Sequence, residues 1–287
     1  MSFAQTVALG ALAGFTIYLG LPVGRLQLLG NRARVALAMF SVGVLAFIFV
    51  DVMSNGIAIV DHALTAFKDD RGTLAYVVWL VVLLAVGFAA GSAGLAMIER
   101  GLRPAGARKP PIAGGAEAAA IGGAESEPLA VELDAARRRA LRTGLTIAAA
   151  IGVHNFAEGL AIGVSARAGA ISLATVLIIG FALHNATEGF GIVGPLGDVR
   201  PSWRWIGLAG LIGGGPTFLG SIVGYAVTSD PLELAFYACA GGAILYVIGE
   251  IWNGMRRYGY RELGLLMVSA GFLVGVLTDL VVTYGGG

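Results

Sequence analysis

The chain has 287 residues, of which 57% are hydrophobic and only 13% charged, with a mean hydropathy of +0.81. A soluble domain carries about 25% charged residues, so the composition excludes an ordinary soluble fold and indicates an integral membrane protein. The net charge of +1 and the lack of any basic stripe with interleaved aromatics argue against nucleic-acid binding. Cys239 is the single cysteine, which excludes an intrachain disulfide and a Cys-x-x-Cys metal clip.

Crossing a bilayer takes about 20 apolar residues, and eight windows qualify in chain order. The first, 3–22, has no positive leader and no small-residue cleavage pattern, and reads as a span rather than a signal peptide. The second, 35–59, carries Asp51 and Asn55 in its outer half. An acidic stretch with Asp61, His62, Asp69 and Asp70 follows and is expected to be a solvated loop. After the third window, 74–98, residues 101–138 turn Pro/Gly/Ala-rich and then acidic, ending in Arg137-Arg138-Arg139. They show no apolar periodicity and are expected to form a flexible connector within a single transmembrane domain, 1–287. The remaining windows are 141–166, 170–194, 204–227 with Gly215-Pro216, 232–254 with Cys239 and Glu250, and 263–284 with Asp279. Cys239 sits in an apolar run and is expected to pack as a small hydrophobe. Glycine accounts for 45 residues, which indicates closely packed helix faces.

Sixteen of the nineteen Lys and Arg residues fall on one side of this eight-span arrangement, leaving Lys68, Arg71 and Arg167 on the other. By the positive-inside rule both termini face outward and the long connector is cytoplasmic.

Within the fourth and fifth windows one segment occurs twice, as His154-Asn155-Phe156-Ala157-Glu158-Gly159 and His184-Asn185-Ala186-Thr187-Glu188-Gly189. These copies hold two of the three histidines in the chain. At about 100° per residue the His, Asn and Glu of each copy share one arc of a helix. Consecutive spans run antiparallel, so a direct repeat implies a pseudo-two-fold axis in the membrane plane, an arrangement that in transporters brackets a midplane site. Both histidines fall at similar depth, roughly 16–20 Å from the outer end at 1.5 Å per residue. Ionisable groups are costly in a membrane and imply function by default. Two imidazoles, two carboxylates and two amide oxygens suit Zn²⁺ and could hold Fe²⁺, Mn²⁺ or Co²⁺. The absence of thiolate suits a conduit, where an ion must bind and also leave. The bland alternative, two helix–helix hydrogen bonds inside a bundle, accounts poorly for a matched pair in neighbouring spans.

At these residues the chain resembles the ZIP family of divalent metal transporters, whose fourth and fifth of eight spans carry His-Asn-x-Pro-Glu-Gly. The resemblance covers both motifs, the span count, the outward termini and the long loop after span three. It implies an all-α, polytopic inverted-repeat bundle and a homodimer in the plasma (inner) membrane. Divalent metal, zinc first and iron, manganese, cobalt or cadmium besides, would be the transported substrate rather than a catalytic cofactor, moving toward the cytoplasm. Carried over position by position, His154, Asn155, Glu158, His184, Asn185 and Glu188 are the metal ligands. Asp51 and Glu250 are candidates on the way in and out. Asp51 could equally be a polar contact with Asn55, and Glu250 an interfacial partner of Arg256 or Arg257. Asp279 is expected to be structural or close to the outer interface.

The chain departs from the family pattern at four places. Ala157 and Thr187 stand where proline is usual, and Gly215 where many members have Glu before Pro216, which puts a second metal position in doubt. The connector has no histidine, and span two offers Asp51 instead of a histidine. Two other readings remain open: a membrane-embedded metal-dependent hydrolase, and a related protein that binds metal without moving it. No Ser or Cys nucleophile context and no Glu-x-x-His signature supports an enzyme.

Overall fold

A computed structural model describes residues 1–26, 30–101, 126–167, 182, 184–226 and 229–285. Among these residues there is no β-strand, and seven helical segments are long and apolar enough to cross a membrane. The fifth expected window, 170–194, falls largely outside the described residues; of it, residues 182 and 184–193 are helical. The protein is therefore an all-α polytopic membrane protein.

The first crossing is assembled from α1 (Phe3–Phe15), α2 (Ile17–Gly20) and α3 (Val23–Leu26). Ser2 starts it with a capping box, its hydroxyl accepting from Gln5 N at 3.3 Å while its own N–H donates to Gln5 Oε1 at 3.0 Å. Pro22, which lacks an N–H, stands between α2 and α3. Next come α4 (Asn31–Lys68), α5 (Leu74–Ala89), a π-helical turn (Ala90–Gly94) and α6 (Leu95–Gly101). They are followed by α7 (Ser126–Arg167), α8 (184–193), α9 (Trp203–Ala226), α10 (Asp230–Arg256) and α11 (Arg261–Gly285).

Two elements outrun their sequence windows. α4 has 38 residues, about 57 Å at 1.5 Å per residue, against a hydrocarbon core of about 30 Å. Asp61 and His62 are thus exposed on the last turns of a helix and not in a loop; no proline or glycine interrupts residues 57–68, and the turn comes only at Asp69–Gly72. α7 likewise takes in residues 126–138, which had been assigned to the connector. Pro128 is tolerated there because it falls in the first helical turn, and Arg138 pairs with Asp134 across one turn at 3.7 Å. Residues 102–125 of the expected connector lie outside the described residues.

The helices sort into two bundles. In one, α7 packs along α9, and α1 packs against both. In the other, α4 packs against α11 and α10, and α10 against α5 and the π-helical turn. Each bundle is zipped by glycine against backbone. A Cβ at Gly159 would overlap the Thr217 carbonyl, and one at Gly220 the Phe156 carbonyl, so α7 and α9 touch main chain to main chain. Gly14 and Gly214 do the same for α1 and α9, Gly43 and Gly271 for α4 and α11, and Gly91 and Gly242 for the π-helical turn and α10. Small residues are how membrane helices gain packing without a hydrophobic drive.

The border between bundles is of another kind. It is made by side chains, as in the Phe156–Phe236 ring pair at 4.6 Å between α7 and α10 and the Ile251 side chain against Gly191. A short hydrogen bond, Ser41 Oγ to Thr187 O at 2.7 Å, joins α4 to α8. Among the described spans α7 is the most enclosed, with 72% of its apolar window buried, whereas α5 and α11 bury 17% and present their faces outward. The motif-bearing helix is thus at the centre.

The arginine-rich end is tied together by the connection between α8 and α9, a 3-10 turn (Gly194–Leu196) followed by Gly197 at φ +62°. Arg25 donates to Pro201 O at 2.7 Å, Arg34 to Asp198 at 3.1 Å and Arg257 to Pro195 O at 3.1 Å. At the opposite end Arg167 donates to Tyr225 O and Ala226 O, both at 3.0 Å, satisfying carbonyls at the C-terminus of α9.

Candidate metal centre

Helical geometry puts His154, Asn155 and Glu158 on one face of α7, and that face meets the first turns of α8. His154, Asn155, Asn185 and Glu188 are fully buried, and Glu158 is 4% exposed. His184 alone keeps an exposed edge, with 14% of its side chain accessible.

Glu158 is the hub. Its Oε1 lies 2.8 Å from His154 Nε2 and contacts His184 Nε2 as well. The two imidazole centroids stand 6.2 Å apart with their planes 34° from parallel, so both rings face the same oxygen. Glu188 Oε1 approaches His154 Nε2 to 3.8 Å. One ligand atom from each of His154, Glu158 and His184 falls within 4.8 Å of the others. Ligand nitrogens and oxygens about 2.0–2.2 Å from a shared zinc ion would need only small side-chain adjustments from that spacing.

Electronically the cluster is unfinished. Glu158 Oε2, Glu188 Oε1 and both nitrogens of His154 lack a well-aligned hydrogen bond among the described residues. The 2.8 Å approach of His154 to Glu158 is close in distance but poorly directed, so it counts as a charge contact and not as a hydrogen bond. Buried polar atoms are nearly always partnered, so this cluster of exceptions is a concentration of polar groups that an ion could satisfy.

The two asparagines behave differently from the histidines and acids. Asn155 Nδ2 donates to Glu188 Oε2 at 3.2 Å and to Gly213 O at 2.9 Å. It thus fixes the Glu188 carboxylate and leaves its other oxygen facing His154. Asn185 Nδ2 donates to Ala13 O at 3.2 Å, which ties α8 to α1. Their amide oxygens have no partner among the described residues. Such outer contacts orient ligands and are as much a part of a metal site as the ligands themselves.

Where the family pattern has proline, Ala157 is buried within a continuous α7. Thr187 turns its hydroxyl back to His184 O at 2.7 Å. Gly215 is half-buried on α9, and Pro216 beside it has no N–H to offer Ile212 O.

The candidates on the way in and out are spread more widely. Asp51 is half-buried and accepts from Asn55, whose Nδ2 lies 2.9 Å from Asp51 O and 3.4 Å from its Oδ1. It is also within electrostatic reach of Glu158, His154 and His184. Glu250 sits on α10, half-buried and two turns before its C-terminus. Asp279 is exposed on α11.

Sequence reasoning missed the carbonyls of Gly213 and Ala13 and the Ser41 hydroxyl. Pro216 was a signal for the first, because a proline in a span disturbs the carbonyls one turn before it. Nothing in the sequence marks the other two.

Comparison with known proteins bears on the same region. A family profile described as "ZIP Zinc transporter" matches residues 122–249, a stretch holding both motif copies, α9 and most of α10. "Zinc transporter ZupT" of Clostridium perfringens (strain 13 / Type A) is 29% identical over 150 residues. That alignment covers 49% of this chain and 51% of the relative, so the match spans about half the length of each. Residues 122–249, which carry the paired motifs face to face in a helical membrane bundle, are thus similar to the ZIP zinc transporter family.

Proposed function

We propose that the protein moves divalent transition-metal ions across the membrane, with zinc as the preferred substrate and Fe, Mn, Co or Cd as alternatives. The supporting observation is the sharing of Glu158 Oε1 by two imidazoles inside a buried cluster in which Asn155 fixes Glu188 through Oε2 and leaves Oε1 facing His154. In this reading His154, Glu158, His184 and Glu188 hold the ion, and Asn155 holds Glu188 in position.

Four ligands with no thiolate bind a borderline metal firmly but reversibly, as conduction requires. The exposed edge of His184 and the half-exposed Asp51 give the ion its approach, and Glu250 near the arginine-rich end serves its release. The positive-inside rule makes that end cytoplasmic, so the direction is inward. The two bundles are each stiffened by glycine–backbone seams and meet through side chains, which suits movement of one against the other. A homodimer in the plasma membrane belongs to the same reading.

Uptake of radioactive zinc into proteoliposomes tests it. Wild type should accumulate zinc, and Glu158→Ala and Glu188→Ala should reduce the rate at least about tenfold, the usual consequence of losing an interaction of about 1.4 kcal/mol or more. Equal flux in all three would remove transport from this site.

A further inference from the structure

Away from the metal cluster, a cavity of about 410 Å³ opens at the arginine-rich end between α4, α10 and α11. Its apolar wall is Val35, Met39, Trp252, Met255 and Leu265, and its rim is Arg256, Tyr260 and Arg261. Val35, Met39 and Met255 are buried, while both arginines are exposed. Neither arginine has a hydrogen bond or ion pair among the described residues, and the adjacent Glu262 pairs with neither. Arg34 and Arg257 on neighbouring turns are engaged with Asp198 and Pro195 O, which leaves Arg256 and Arg261 as the two cations at the cavity rim.

We propose that this cavity binds one anionic phospholipid from the surrounding leaflet. The phosphate lies between Arg256 and Arg261, with Tyr260 and Trp252 at headgroup level and the start of an acyl chain over Met39 and Leu265. Three observations select that occupant. The volume is in the range of small-molecule sites. The cavity faces outward beside α11, whose Leu265, Leu266, Leu273 and Leu277 are exposed along a span burying only 17% of its window. The two unpaired cations stand over an apolar floor at the membrane end that the charge bias assigns to the cytoplasm, where basic pockets between helices hold anionic headgroups. Because the walls come from α4, α10 and α11, the lipid would brace one bundle without touching the metal-binding one.

The test uses purified full-length protein in mixed micelles containing equal phosphatidylglycerol and phosphatidylcholine, with bound lipid counted by native mass spectrometry. Wild type should enrich phosphatidylglycerol about twenty-five-fold, roughly fivefold for each arginine. The double variant Arg256→Gln/Arg261→Gln should bring the ratio close to one. Gly264→Leu, which fills the floor from a position whose Cβ would stand 3.5 Å from Met39, should lower occupancy by both lipids. Both arginines are exposed, so the double variant retains its fold, and an unchanged zinc-binding isotherm checks this. Equal binding of the two lipids by wild type, or undiminished enrichment in the double variant, would overturn the proposal. Displacement of the lipid by millimolar inorganic phosphate would overturn it too, since it would mark a free-anion site.

Discussion

Gly159 follows Glu158 directly and lies where α7 and α9 touch, which makes Gly159→Ala a probe of how packing holds the metal ligands. The added methyl would overlap the Thr217 carbonyl and come to 2.8 Å from Ser221 N and 2.9 Å from Gly220 Cα. All three are main-chain atoms of α9, so no side chain can rotate away. Restoring ordinary contact of about 3.4 Å to the closest of these atoms, the Thr217 carbonyl oxygen, requires the helices to part by roughly 1 Å. Overpacking of this kind costs about 1–3 kcal/mol, and Ala gains back about 1 kcal/mol over Gly in helix propensity. The net is a destabilisation of up to about 2 kcal/mol, or up to roughly 8 °C in the melting midpoint at this chain length.

The same separation acts on the site. The Asn155–Gly213 O hydrogen bond, now 2.9 Å, bridges these two helices and would stretch toward the limit of hydrogen bonding. Glu188 then loses its orientation, and zinc affinity should fall about tenfold, the lower end of losses seen when outer-shell contacts are broken. Thermal unfolding in detergent and zinc titration calorimetry measure the two effects. Gly207→Ala is the internal control, because a Cβ there meets nothing within 4 Å; it should be neutral or slightly stabilising. If Gly159→Ala melted at or above wild type, as Gly207→Ala should, the glycine seam would not be holding the site.

Ser41→Ala removes the 2.7 Å hydrogen bond that joins α4 to α8 across the bundle border, an interaction worth about 1 kcal/mol. If that bond must break as the bundles move, the maximal zinc uptake rate should rise up to about fivefold at unchanged half-saturation, and a slower rate in proteoliposomes would contradict it. Zinc binding should weaken as pH falls, because His154 and His184 can ligate only as neutral imidazoles and their protonated forms repel the cation. The apparent affinity should drop by up to about 100-fold per pH unit in acid, two protons being taken up per metal released; calorimetric titrations giving the same affinity at pH 7.5 and 5.5 would exclude both histidines as ligands.

How far the sequence carried the structure depends on the kind of information each feature holds. Spans are written in runs of apolar residues, and the helices appear where those runs do. Their ends are less legible, because hydropathy reports the bilayer and not the helix. α4 continues through Asp61, His62 and Lys68 beyond any bilayer boundary since nothing there breaks it, and α7 begins before its apolar stretch because 126–138 has good helix chemistry despite its polarity. The meeting of His154, Glu158 and His184 was legible because the side chains themselves carry the chemistry. Gly213 O and Ala13 O were not, since every residue offers a carbonyl and only the fold decides which one faces a neighbour. The same holds for the seams: 45 glycines announce close packing, but the pairing of Gly14 with Gly214 is a property of three dimensions.

The repeat suggested a symmetric site, and the structure shows where the symmetry ends. The histidines and glutamates converge on common space, with Glu158 reaching His184 across the helix border and Glu188 facing His154. The asparagines diverge. Asn155 turns inward to Glu188 and Gly213 O, whereas Asn185 turns to Ala13 O and serves the α1–α8 contact. A pair of equivalent metal positions would need both amides, or a carboxylate from α9, where the chain has Gly215. The Nδ2 groups of Asn155 and Asn185 serve different partners while both amide oxygens stay available; in the proposed reading two imidazoles and two carboxylates already meet the four-coordinate preference of a single zinc ion. The asymmetry extends to exposure: His154 is sealed and His184 has an open edge. In the proposed pathway an ion arriving past Asp51 would meet His184 and the shared Glu158 oxygen before His154 and Glu188.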